Sequence, residues 1–345
     1  MRTLTLAIAG TLLLPACKKT SDGQMAVCLN EVAGNEAEEV RTQDVPPDVW
    51  FGVILKNYNA RTKELQRPTK DCSNKGLEIE DEELALCVLD DNPAEELPPR
   101  PLDPEEDLLL TPGAEGGQAL VWIRTEYFED GYAKGPIALA EWTKRGIAVR
   151  ALGPLYAHPN KIRMRMEPMD KGKVLVVESN VCEPETKKCR RVMRLLPLIG
   201  YRFEERPLVD AQTGDCLGPA TFDLFKETEF ELEDGHLRKF QLTRSFDFTD
   251  GNVSLTEHVK IEDFDPKNPE APPDVFRNAH IERPMHLDNR GVATGEGLWE
   301  RMLTEHGSVS IEQKKAAEEK AKAEAAEGGG GAGEEEDPED DGDEG

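Results

Sequence analysis

Between residues 221 and 263 the chain alternates apolar and polar residues with a period of two and breaks the alternation at turn pairs. Phe222, Leu224, Phe230 and Leu232 alternate with Asp223, Glu229 and Glu231, and Asp234-Gly235 follows. The next run places Phe240, Leu242, Phe246 and Phe248 on one face, Asp250-Gly251-Asn252 turns the chain, and Val253, Leu255, Val259 and Ile261 form a third run. Successive strand side chains point to opposite faces, and Asp-Gly readily takes the positive φ of a tight hairpin. The pattern therefore predicts an antiparallel meander with one buried face.

Earlier runs at 120–128, 136–143, 146–152, 161–167, 173–181 and 190–198 fit the same reading. Ile162, Met164 and Met166 alternate with Arg163, Arg165 and Glu167, whereas Val174-Leu175-Val176-Val177 is apolar on both faces, as a central strand requires. The expected fold class is mainly β: about nine strands in an antiparallel meander forming a curved sheet, sandwich or barrel. Thr69-Lys70-Asp71-Cys72 is echoed by Thr213-Gly214-Asp215-Cys216, but four residues do not make a repeat.

Composition divides the chain into segments. Residues 1–16 read as a signal peptide and 17–48 as a polar tether ending in Val45-Pro46-Pro47-Asp48. Residues 49–92 are expected to be a small β unit, opened by the strand-like Val49-Trp50-Phe51-Gly52-Val53-Ile54-Leu55. Residues 93–118, dense in proline and glycine, read as an acidic linker. The meander domain is expected at 119–264, followed by an irregular segment at 265–307 with a short amphipathic helix carrying Leu298, Trp299, Met302 and Leu303. Residues 308–345 read as a polar helix and a disordered acidic tail.

The N-terminus supplies an address. Arg2 gives a positive start, Leu4 to Leu14 is uncharged and apolar, and Leu14-Pro15-Ala16-Cys17 precedes Lys18-Lys19. The apolar run is shorter than the roughly 20 residues a spanning helix needs. This stretch resembles the signal peptide and lipobox of bacterial lipoproteins. The resemblance implies that Cys17 is acylated, becomes the new N-terminus and anchors the protein to a cell-envelope membrane through two or more chains, which gives stable attachment. With Lys18 at the sorting position, it favours the outer over the inner membrane.

Six further cysteines remain, Cys28, Cys72, Cys87, Cys182, Cys189 and Cys216. An even number in an exported chain predicts disulfides. The segment CEPETKKC joins two strand-like runs through a turn, so Cys182 with Cys189 is the favoured pair; the other four leave three pairings open. The formal net charge is −27, but residues 78–107 carry a net −12 and residues 312–345 a net −10. The rest is close to neutral. Nucleic acid is not an expected partner, because phosphate neutralisation needs a basic surface.

Candidates for chemistry are few. His280, His286 and His306, near Glu282 and Asp288, are weak candidates for a metal site, although their spacing matches no standard one. Trp122, Trp142 and Tyr127 could stack a ligand or pack a core. No catalytic residue and no cofactor is assigned. The leading expectation is a non-enzymatic binding or scaffold lipoprotein whose partner is another envelope component. An alternative is a carrier of a lipid or other apolar ligand, with Phe240, Phe246, Met164 and Met166 lining an open cavity. A metal-dependent or hydrolytic enzyme is a third reading.

Overall fold

A computed structural model describes residues 26–30, 45–79, 82–88, 94–113, 116–143, 146–170, 172–182, 189–232 and 235–307. Cys17 and its lipobox, most of the tether and the acidic tail lie outside the described residues. In chain order, β1 (Cys28–Asn30) precedes α1 (Pro47–Ile54), the short hairpin β2 (Tyr58–Asn59) and β3 (Glu64–Leu65), α2 (Glu82–Val88) and α3 (Pro104–Asp107). The strands β4 (Leu108–Pro112), β5 (Gln118–Ile123), β6 (Glu126–Tyr127), β7 (Ala133–Thr143), β8 (Gly146–Ala157), β9 (Arg163–Met169), β10 (Gly172–Cys182) and β11 (Cys189–Ile199) follow. Next come the short β12 (Arg202–Phe203), β13 (Pro207–Asp210), β14 (Cys216–Pro219) and β15 (Thr221–Asp223). The chain continues with β16 (Phe225–Glu231), β17 (Leu237–Thr249), β18 (Asn252–Phe264), β19 (Asp274–Leu287), β20 (Val292–Thr294) and α4 (Leu298–His306).

The fold is mainly β and consists of two curved sheets. The first has the order β4-β5-β7-β8-β12-β11-β10-β9, with β1 added on β8, β6 on β7 and β15 on β11. Its end strands β4 and β9 approach each other, so the sheet is a nearly closed barrel. The second sheet, β14-β13-β20-β19-β18-β17-β16, curls into a half-barrel. The expected meander is its centre: β17 and β18 pair from Leu237↔Phe264 to Thr249↔Asn252, through a turn with Asp250 at φ 52° and Gly251 at φ 83°. Glycine tolerates the left-handed region and aspartate is among the few other residues that visit it readily.

Inside the barrel, Leu120, Trp122, Ile137, Leu155, Met164, Leu175, Val177, Leu196 and Phe203 pack together. The short β12 comes so close to β8 that a Cβ on Gly153 would lie 2.1 Å from the carbonyl oxygen of Phe203. A second cluster, with Met169, Val174, Val176, Met193, Leu195 and Phe222 from the barrel sheet and Val253, Leu255 and Met285 from the half-barrel, joins the two sheets.

Four segments differ from their sequence expectation. Residues 17–48 are not wholly tether, because β1 adds to the barrel beside β8 from Cys28↔Val149 to Asn30↔Ile147 and Val45 is buried. Residues 49–55, expected as a strand, fall largely in helix α1. Pro47 sits at the first helical positions and Asp48 in the first turn, both favourable there, while Trp50, Phe51, Val53 and Ile54 have the spacing of one helical face. All four are buried against the outer face of the barrel, a gain of about 1.5–3 kcal/mol per large apolar side chain that outweighs the β propensity of the run. Residues 93–118 are not wholly linker: α3 and β4 lie inside them, and β4 pairs with β5 from Leu108↔Ile123 to Pro112↔Ala119. Pro112 is the last strand residue of β4, at the sheet's end, where a missing N–H is tolerated. Residues 265–307 are not irregular throughout either, because they contain the fourteen-residue β19, paired with β18 along most of its length.

Candidate functional site

On the central strands of the barrel, strand pairing sorts charge from grease along a single face. The register sets Val174 and Val176 of β10 beside Pro197 and Leu195 of β11, and sets Glu178, Asn180 and Cys182 beside Met193, Arg191 and Cys189. On the other side, Glu178 faces Arg163 of β9 and Val176 faces Arg165. Directly opposed residues share a face, so one end of that face is apolar and covered by the half-barrel, while the other end is charged.

At the charged end lies a cleft of about 380 Å³, lined by Lys161, Arg163, Glu178, Ser179, Asn180, Cys189, Arg190, Arg191 and Phe225. Glu178 is buried, and its two oxygens accept hydrogen bonds from Nη1 of Arg165 and Nη2 of Arg191. Arg165 Nε also reaches Glu167 at 2.8 Å, and Arg190 Nη1 meets Asp223 at 2.9 Å. Burial pushes the Glu178 carboxyl up, but the hydrogen bond and charge of Arg165, together with Arg191, outweigh it and hold the group below the usual carboxylate range. Lys161 and Arg163 have no ion-pair partner among the described residues, and both are exposed. The Phe225 ring, 43% exposed, forms an apolar wall. Apart from the Arg190–Asp223 pair, Lys161, Arg163, Arg165 and Arg191 stand against Glu167 and Glu178, and the surplus positive charge sits on Lys161 and Arg163.

The disulfide Cys182–Cys189 closes the β10–β11 pair at this end, between residues that face each other directly. The remaining cysteines pair as Cys28–Cys72 and Cys87–Cys216, one of the three open combinations.

The histidines are not brought together. His280 and His286 lie six positions apart on β19, which separates them by about 20 Å at the strand rise. His306 ends α4 with its ring edge-on to Phe276 at 5.2 Å. Among the described residues, no group of three or more His, Cys, Asp or Glu side chains could hold a metal ion. The weak candidates His280, His286 and His306 therefore do not form a site: an extended strand holds two of them too far apart to share a cation. Trp122 is fully buried inside the barrel, Trp142 packs on the outer core, and the Tyr127 hydroxyl donates to the buried Asp107. These three serve packing rather than an exposed stacking patch.

The echoed Asp-Cys pairs differ in role. Asp71 is buried and accepts from Arg202, Ser73 and Lys75, whereas Asp215 is exposed. The cationic cleft escaped sequence reading because its residues come from separate strands. The one legible trace is the Arg163/Arg165 alternation with Met164 and Met166.

No protein-family model, curated protein or solved structure matches the chain. No helix of the described residues is long and apolar enough to cross a membrane.

Proposed function

We propose that the protein is a non-enzymatic binding lipoprotein of the cell envelope, held on a membrane by acyl chains on Cys17 and recognising its partner at its outer surface. The filled barrel interior carries the second half of this reading. Trp122, Leu120, Ile137, Leu155 and Phe203 are each wholly buried there, so the barrel's volume is occupied by its own side chains. A carrier would instead leave Met164, Met166, Phe240 and Phe246 lining an open cavity, whereas Met166 packs partly buried on the barrel core and Phe246 partly buried against Phe222. Met164 packs in the barrel, and Phe240 packs beneath α4. The address rests on the lipobox resemblance, with Lys18 favouring the outer membrane.

Two measurements test the reading. Radiolabelled palmitate should label the wild-type protein and leave Cys17→Ser unlabelled; labelling of the variant would remove the anchor. Native mass spectrometry after incubation with envelope lipid extract should show the protein without stoichiometric lipid. A retained lipid at one copy per chain would turn the reading to a carrier.

A further inference from the structure

We propose that the cleft between β9, β10 and β11 is a binding site for a phosphate monoester, with Lys161 and Arg163 as its charged contacts and Arg191, already held by Glu178, at its side. The inference deepens the binding reading above and draws on geometry that reading does not use. Arg163 and Arg191 stand on strands two apart and two residues out of level across β10, so their backbones are about 12 Å from each other. Both side chains line the cleft, and guanidinium donors match phosphate oxygens in pairs.

Glu178, between them, does not cancel the charge. Its two oxygens are already committed to Arg165 and Arg191, which orients the Arg191 guanidinium over the cleft. Arg190 is likewise engaged by Asp223. What remains for a ligand is Lys161 and Arg163, two positive charges for a dianion, with the Asn180 side chain lining the cleft as a hydrogen-bonding group. The volume of about 380 Å³ exceeds a bare phosphate and lies at the lower end of small-ligand pockets. The exposed Phe225 ring offers apolar contact to whatever the phosphate esterifies. A chain with a net charge of −27 repels anions at long range, so a local cationic cleft is where an anion can be held.

Such a phosphate could belong to a soluble ester or to a lipid headgroup of the membrane, and the test separates them. The Cys17→Ser chain, free of lipid, is titrated calorimetrically with glycerol 3-phosphate. It is also sedimented with phosphatidylcholine vesicles with and without phosphatidic acid. Binding to either phosphate probe supports the site, and the arm that binds names the source; binding to neither overturns it. Lys161→Gln combined with Arg163→Gln should weaken binding at least tenfold, whereas Lys267→Gln, exposed beyond β18, should leave it unchanged. Equal weakening by both would mark non-specific charge attraction and would also overturn the proposal. Palmitate labelling of Cys17 in the wild-type chain is independent of these outcomes, so failure of the cleft is distinguishable from failure of the lipoprotein reading.

Discussion

Arg244 and Glu257 face each other across β17 and β18, with Nε 2.6 Å from Oε1, on the apolar face of the half-barrel. Glu257 is completely buried, and its other oxygen accepts from Arg283 at 3.0 Å and from the backbone N–H of Leu298 at 2.7 Å. The pair marks a boundary. On one side Phe246, Phe248, Val253 and Leu255 pack toward the barrel; on the other Phe240, Leu242, Val259 and Ile261 pack beneath α4. The helix has Gly297 as its N-cap and no side-chain cap of its own, so the Glu257 carboxylate takes that place from another element, where the helix dipole favours a negative charge.

Removing this carboxylate leaves two buried guanidiniums short of a partner. Breaking a buried pair from one side costs about 3–5 kcal/mol. Glu257→Gln should therefore lower the unfolding free energy in urea by several kcal/mol, and Glu257→Ala by at least as much. A loss under about 1 kcal/mol would show that the cluster is replaceable by water.

The helix α4 is held mainly by its apolar stripe. Trp299 meets Phe240 edge-on at 6.2 Å, and Leu298 and Met302 are buried beside it. Trp299→Ala should cost about 3–5 kcal/mol, as large-to-small core changes do. It should also increase binding of an apolar fluorescent dye, because the half-barrel floor loses its cover. An unchanged midpoint with no added dye binding would mean that α4 does not dock in solution.

Glu178 predicts an acid dependence. Its carboxyl is held below the ordinary range in the folded state, so its stabilisation is present above the unfolded value near 4.3 and fades as pH falls below that. Arg165 and Arg191 are half exposed, so the screened contribution is about 0.5–1 kcal/mol. The stability difference between wild type and Glu178→Gln should shrink between pH 5 and pH 3. A difference that stays constant over this range would assign the effect to shape rather than charge.

The disulfides should rank by the loop they close. Chain-entropy arguments give about 5 kcal/mol for Cys87–Cys216, about 4 for Cys28–Cys72 and about 2 for Cys182–Cys189, which close separations of 129, 44 and 7 residues. Double alanine variants of each pair, compared by thermal unfolding, should destabilise in that order. The hairpin bridge should matter least, because β10 and β11 already hold its cysteines opposite each other. The largest loss from removing Cys182–Cys189 would contradict the ranking.

The meander was legible in sequence because strand periodicity and Asp-Gly turns are local signals. Phe240, Leu242, Val253 and Leu255 announce a buried face wherever they stand in the fold. The Cys182–Cys189 pair was legible for the same reason: a seven-residue separation across a hairpin leaves little choice. Which cover each stretch of the apolar face receives was not legible. Barrel and α4 compete for the same chemistry, and long-range packing divides them at Glu257. Local propensity also misled at residues 49–55, where helical spacing against the barrel wall overrode β-branched composition, and at β19, where the alternation of Ala279, Ile281 and Met285 with His280, Glu282 and Pro284 is interrupted by the buried Arg283 and follows an exposed run from Asp274 to Asn278. Pairing with β18 makes β19 a strand. The same dependence on distant pairing hides the cationic cleft. Arg163, Glu178 and Arg191 lie up to 28 positions apart, and hydrogen bonding between three strands sets them on one face.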